Sequence, residues 1–160
     1  MAKPKVEFTL KGDKELIAIL KKMDYKDMQK VYRKALTDVV KPLIKETKKS
    51  LRRSGIKRVD KAYVSRKTGK TYKSMLQGIK SSVDVRKPND NYAKVHIMGE
   101  FRLKWFEKGT LHRYTERTGT RGSIRPYGFF KDAVKAKGEQ CRSNLEQSIK
   151  ISIQKVWNRK

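Results

Sequence analysis

Three carboxylates fall near expected strand ends: Asp90, Glu100 and Glu107. Clustered, they could hold a hard divalent cation beside a phosphodiester, as a metal-dependent nuclease requires. The spacing does not fit that chemistry. Glu100 is followed by Phe101-Arg102 and Glu107 by Lys108-Gly109, so no Asp…Glu-x-Lys arrangement is present. Scattered acids on a basic chain ordinarily serve as ion-pair partners. Gly69-Lys70-Thr71 ends like a phosphate-binding loop, yet Val64 stands where that loop needs its first glycine, and no hydrophobic strand leads in. Cys141 is the sole cysteine and lies on the apolar face of an expected helix, where it acts as a small hydrophobe. Neither His96 nor His112 has a nucleophile beside it in sequence, and two distant histidines do not suggest zinc. The residues predict no catalytic centre, no cofactor and no metal site.

Charge is the stronger signal. Against 42 Lys+Arg stand 16 Asp+Glu, a formal net charge of +26, and a field of that sign draws polyanions and repels further copies of itself. The cations concentrate in two stretches. One is a basic arm over 48–73, carrying Lys48, Lys49, Arg52, Arg53, Lys57, Arg58, Arg66, Lys67 and Lys70 against the single acid Asp60. The other is a basic loop over 111–125, with Arg113, Arg117, Arg121 and Arg125. Tyr63, Tyr72 and Tyr114 are interleaved and could stack on bases. The two stretches fit contact with nucleic acid and contact with an acidic protein equally well. No helix-turn-helix, zinc finger or ribonucleoprotein motif points to sequence-specific readout.

A length of 160 residues with 36% hydrophobic content predicts one domain over 1–160 with a lean core. The opening Met-Ala-Lys-Pro-Lys-Val-Glu has no apolar signal core, and no apolar run approaches the ~20 residues that span a bilayer. Synthesis in the cytosol with no membrane partner is therefore expected.

The fold class expected is α+β, with long amphipathic helices on a small antiparallel sheet and long basic loops. Val6, Phe8 and Leu10 alternate into a first strand, and Leu16, Ile17, Ile19 and Leu20 follow on a helix. From Tyr25, apolar residues recur every three or four positions to Leu51, predicting one long helix kinked at Pro42. The basic arm follows as loop or extended chain, with a helical turn near Tyr72–Leu76. Ile79–Val85 and 93–97 read as a hairpin closed by 87–91. Phe101, Leu103 and Trp105 predict a third strand, and 111–125 a loop or a hairpin with its tip near Gly119. Pro126 introduces a final helix over 127–158, with Phe130, Ala133, Val134, Cys141, Leu145, Ile149, Ile153 and Val156 inward.

At the end of the expected third strand, Gly109 allows a turn closed to other residues, and Glu107 can accept hydrogen bonds from the loop beyond it. On a strand, Trp105 and Phe106 would face opposite ways, one into the core and one toward an interface.

Several short motifs, in order, resemble the tail-component family of long-tailed bacteriophages and prophages, the head–tail joining or tail-completion proteins. They are Gly12 with Leu16 and Leu20, Lys34-Ala35-Leu36 on the long helix, Thr68-Gly69-Lys70-Thr71-Tyr72-Lys73-Ser74-Met75 before the hairpin, Phe106-Glu107-Lys108-Gly109-Thr110, and Pro126-Tyr127-Gly128-Phe129-Phe130-Lys131-Asp132-Ala133. Asp132 stands where that family usually has a second proline. The resemblance implies a non-enzymatic virion protein of the neck or tail end, made in the host cytoplasm and then built into the virion. Its copies would close into a ring that meets head–tail connector and tail proteins, with genome DNA a further candidate partner. Trp105, Phe106, Glu107, Gly109, Thr110, Pro126, Phe129 and Phe130 would then form the oligomer or neck interface. The alternative reading is a non-sequence-specific nucleic-acid-binding protein using the basic loops.

Overall fold

Met28, Val31, Ala35, Leu36 and Val39 sit at helical spacing and are all buried on one face of α1 (Tyr25–Val39). The computed structural model describes residues 23–85, 93–115 and 119–157. The strand expected at 6–10, the helix expected at 16–20 and the turn at 87–91 lie outside the described residues. On α1, burial raises the pKa of the Tyr32 phenol above its ordinary value.

The long helix is two helices rather than one kinked one. α1 stops at Val39, and α2 (Lys41–Arg53) starts two residues later, after Val40. Pro42 has no N–H to give the Asp38 carbonyl, and its ring crowds that oxygen, so the ladder breaks there. A Lys41–Asp38 ion pair of 2.7 Å bridges the break. α2 buries Leu43, Thr47 and Leu51, and the Thr47 hydroxyl is satisfied by the Leu43 carbonyl at 2.7 Å.

The basic arm is correspondingly shorter than expected. Lys48, Lys49, Arg52 and Arg53 are helical residues of α2, and Arg52 and Arg53 complement the negative end of its dipole. Leu51, fully buried, anchors a last turn that composition alone assigns to a loop. Farther on, β1 (Tyr63–Val64) and β2 (Thr71–Tyr72) pair antiparallel, Tyr63 opposite Tyr72. The connecting turn is closed by Gly69 N–H to the Ser65 carbonyl at 2.8 Å. Gly69-Lys70-Thr71 thus ends a hairpin turn and does not open a helix, as a phosphate loop would.

α3 (Met75–Gly78) is a single turn held by a reciprocal cap. The Ser74 hydroxyl accepts the Gln77 N–H, and the Gln77 carboxamide accepts the Ser74 N–H, both at 3.2 Å. Ser74→Ala should lower stability by about 1 kcal/mol, read as a shifted urea midpoint with unchanged slope. β3 (Ile79–Val85) and β4 (Ala93–Met98) then form the expected hairpin.

The third strand is a helix. α4 (Phe101–Lys108) begins where Glu100 accepts the Arg102 N–H, and it buries Leu103 and Glu107 one turn apart. Phe101, Leu103 and Trp105 alternate like a strand, but Phe101/Trp105 and Leu103/Glu107 are also four-residue helical pairs. β5 (Arg113–Thr115) and β6 (Gly119–Gly122) form a hairpin whose tip, 116–118, lies outside the described residues. The final helix, α5 (Phe129–Trp157), starts two residues later than expected and runs through Gly138 unbroken. Phe130, Ala133, Cys141, Leu145, Ile149 and Ile153 are buried as expected, joined by Phe129 and Ser152, whereas Val134 is only half-buried.

The described residues therefore make an α+β protein of five helices and three two-stranded antiparallel sheets. They divide into two compact units. The first draws on α1, most of β3 and β4 and the greater part of α5, and buries Val31, Ala35, Leu36, Val40, Val95, Cys141 and Ile149. The second spans 43–80 and 97–137, and its core includes Leu43, Leu51, Ile56, Met75, Ile79, Leu103, Phe129 and Phe130. The motif-bearing residues 105–133 all belong to this second unit.

Candidate functional site

Within the second unit, the last turn of α4 is pinned to the first turn of α5. Glu107 is buried, and its two carboxylate oxygens accept the backbone N–H groups of Phe130 at 2.8 Å and Lys131 at 3.0 Å. Those N–H groups have no partner inside the helix, and the dipole there favours negative charge. The adjoining backbones continue the contact: Tyr127 N–H donates to the Phe106 carbonyl at 2.9 Å, and Gly128 N–H to the Glu107 carbonyl at 3.3 Å. Glu107 does accept hydrogen bonds, as its position suggested, but from a helix start and not from a loop.

Gly109 and Thr110 form the second half of the clasp. Thr110 N–H donates to the Ile124 carbonyl at 2.9 Å, and Ile124 N–H returns a bond to the Thr110 hydroxyl at 3.0 Å. Gly109 lies at φ 73, ψ −179, essentially a glycine-only conformation. A methyl group there would stand 2.7 Å from the Ile124 carbonyl oxygen and 2.9 Å from the Pro126 nitrogen. Glu107-Lys108-Gly109-Thr110 and Pro126-Tyr127-Gly128-Phe129-Phe130 are two sides of one joint.

This joint corrects part of the expected interface. Glu107, Phe129 and Phe130 face inward and are held by the fold itself. Phe106 is half-buried against Tyr127, ring centroids 5.9 Å apart, and Gly109 and Thr110 are half-covered. Trp105, at 40% exposure, and Pro126 remain open to a partner. Trp105 is the more exposed of the two aromatics and Phe106 is half-buried, so on this helix neither packs in the core as one of them would on a strand.

Glu100 is likewise held by local structure. It is buried, caps α4 and holds the Arg102 guanidinium at 2.8 Å, while the far end of that guanidinium donates to the Lys73 carbonyl at 2.8 Å. A side chain on Gly78 would collide with the Glu100 Cβ, so the capping turn sits directly over α3. Asp90 lies outside the described residues. No group of three or more His, Cys, Asp or Glu among the described residues could hold a metal ion. His112 contacts the Thr120 hydroxyl at 3.1 Å across the β5–β6 hairpin, and Cys141 is buried.

Sequence reasoning picked out Tyr63 and Tyr72 but missed that they continue into Phe101 and Trp105 as one run of rings on the second unit, without Tyr114. Tyr63 stacks beside Tyr72 at 6.0 Å, Tyr72 meets Phe101 edge-on at 5.3 Å, and Phe101 meets Trp105 edge-on at 5.0 Å. Arg102 lies over Tyr63 at 5.1 Å and Lys70 over Tyr72 at 5.7 Å. The four-residue Phe101–Trp105 spacing was the one signal for its second half.

Most of the cationic side chains expected to meet a partner are exposed. Lys49, Arg52, Arg53, Lys57, Arg58, Arg66, Lys67 and Lys70 are exposed, and none makes an ion pair among the described residues. Lys48 is half-buried on α2. Arg113 is exposed on β5, and Arg125 lies over the Tyr127 ring at 4.9 Å. Arg117 and the Arg121 side chain fall outside the described residues.

No helix among the described residues is long and apolar enough to cross a membrane. Compared with protein-family models, curated proteins and solved structures, the chain matches none.

Proposed function

We propose that the chain is a non-enzymatic structural protein of the head–tail junction of a long-tailed phage or prophage, one subunit of a closed ring that joins or completes the tail. The supporting observation is the Glu107 clasp. The two segments that most resemble the tail-component family, far apart in sequence, interlock as one joint whose residues have structural tasks. Such a joint needs its glutamate, its glycine and its helix start for shape, which suits an assembly protein. A ring subunit also needs a heterologous surface that closes on itself. Trp105 and Pro126 at the outer edge of the joint are placed to contribute to it. The protein would be made in the host cytoplasm and end in the virion neck or tail, beside connector and tail proteins.

Deleting the coding sequence from its phage should leave filled heads and finished tails that stay separate, and supplying the chain in trans should restore joined particles. Normal yields of joined, infectious particles without it would overturn the proposal.

A further inference from the structure

We infer that the ring-bearing face of the second unit binds single-stranded nucleic acid without sequence preference, stacking bases on Tyr63, Phe101 and Trp105 and neutralising phosphates with the cations around them. This inference does not need the tail-assembly reading, although a ring contact at Trp105 and a bound strand would compete for the same side chain.

Two local structures build the face. The β1–β2 register sets Tyr63 opposite Tyr72, and the α4 helix sets Phe101 and Trp105 one turn apart. The four rings touch in succession although the two halves are distant in sequence. Tyr63, Phe101 and Trp105 are each about two-fifths exposed, at 42%, 39% and 40%. Val64, Leu111 and Tyr114 of this unit are exposed too, but Tyr63, Phe101 and Trp105 are joined through Tyr72 into one cluster, and exposed rings grouped in this way mark a binding surface. Arg102 is fixed over Tyr63 by Glu100 and the Lys73 carbonyl, which makes it a positioning group for the ring. Arg66, Lys67, Lys70 and Lys73 are exposed nearby in sequence and form no ion pair among the described residues.

Charge and shape together select the occupant. A second copy, itself at +26, brings no counter-charge to the cations on this face, so a subunit contact at Trp105 would leave them unneutralised. An apolar protein surface would bury these cations unpaired, at a cost. Duplex DNA offers phosphates but keeps its base faces stacked inside. A single strand supplies both phosphates and flat base faces, the combination that aromatic and cationic grooves bind without reading sequence.

The test uses the full chain with Trp157→Phe, so that Trp105 is the only tryptophan, titrated with oligothymidylate, a duplex of equal length and polyglutamate. Oligothymidylate should quench Trp105 and bind more tightly than polyglutamate at the same salt. Trp105→Ala, and separately the exposed Tyr63→Ala, should weaken oligothymidylate binding about tenfold, read from a labelled strand, and leave polyglutamate binding within about twofold. Lys67→Gln should flatten the log–log salt slope for the strand by about 0.7. Variants are compared after circular dichroism shows the wild-type spectrum. Polyglutamate binding as tightly as the strand would overturn the inference in favour of an acidic protein partner. Preference for the duplex, or full affinity in both ring variants, would overturn it as well.

Discussion

Gly109→Ala should destabilise the protein by about 3 kcal/mol or more, enough to unfold a marginal domain. Two costs coincide at this position. The backbone conformation, φ 73 and ψ −179, is one that side-chain-bearing residues avoid. The new methyl would also press on the Ile124 carbonyl oxygen and the Pro126 nitrogen, both backbone atoms that cannot swing aside. Relieving that contact means opening the Thr110–Ile124 bond pair and shifting the chain that leads into α5. Gly119 provides the control. It too has positive φ, at 65, but a methyl there meets nothing within 4 Å. Gly119→Ala should therefore cost only about 1–2 kcal/mol, the strain of the left-handed conformation alone. Paired thermal or urea unfolding curves check the contrast, and equal losses at the two glycines would count against a packed joint at Gly109.

Glu107→Ala should lose about 3–5 kcal/mol. It removes two charge-assisted hydrogen bonds and leaves the Phe130 and Lys131 N–H groups facing a vacated, largely water-free site. Glu107→Gln separates charge from shape. Its carboxamide oxygen can still accept one N–H, but its NH₂ faces the other as donor against donor. Roughly half of the alanine loss is expected, about 2 kcal/mol. Amide hydrogen exchange gives the local readout: protection of Phe130 and Lys131 should fall before that of Leu145 or Ile149 farther along α5. Uniform loss of protection along α5 would contradict a clasp acting at its first turn.

What could be read from sequence was the periodic part of the fold. The buried stripes of α1, α2 and the far half of α5 repeat every three or four residues, and the alternation of β3 and β4 is regular. Phe101–Trp105 misled because three alternating apolar residues satisfy both periods, and the decisive feature was Glu100 folding back to cap the helix. The basic arm misled by composition: charge is no bar to a helix when Leu43, Thr47 and Leu51 give it a buried side. Glu107 was singled out as a hydrogen-bond acceptor, but its partners are 23 and 24 residues away on a helix start, and no local pattern identifies them. The ring-bearing face was hidden for the same reason, since Tyr72 and Phe101 become neighbours only once the β3–β4 hairpin intervenes.

The central claim is that this chain is a ring subunit at a phage head–tail junction, and cryo-microscopy of assembled particles tests it most directly. The account predicts a closed ring at that junction into which the α4–α5 joint fits, with Glu107 buried inside each subunit and Trp105 at or beside a subunit or neck contact. Joined particles whose junction density is fully explained by other chains, with no copy of this one, would contradict it.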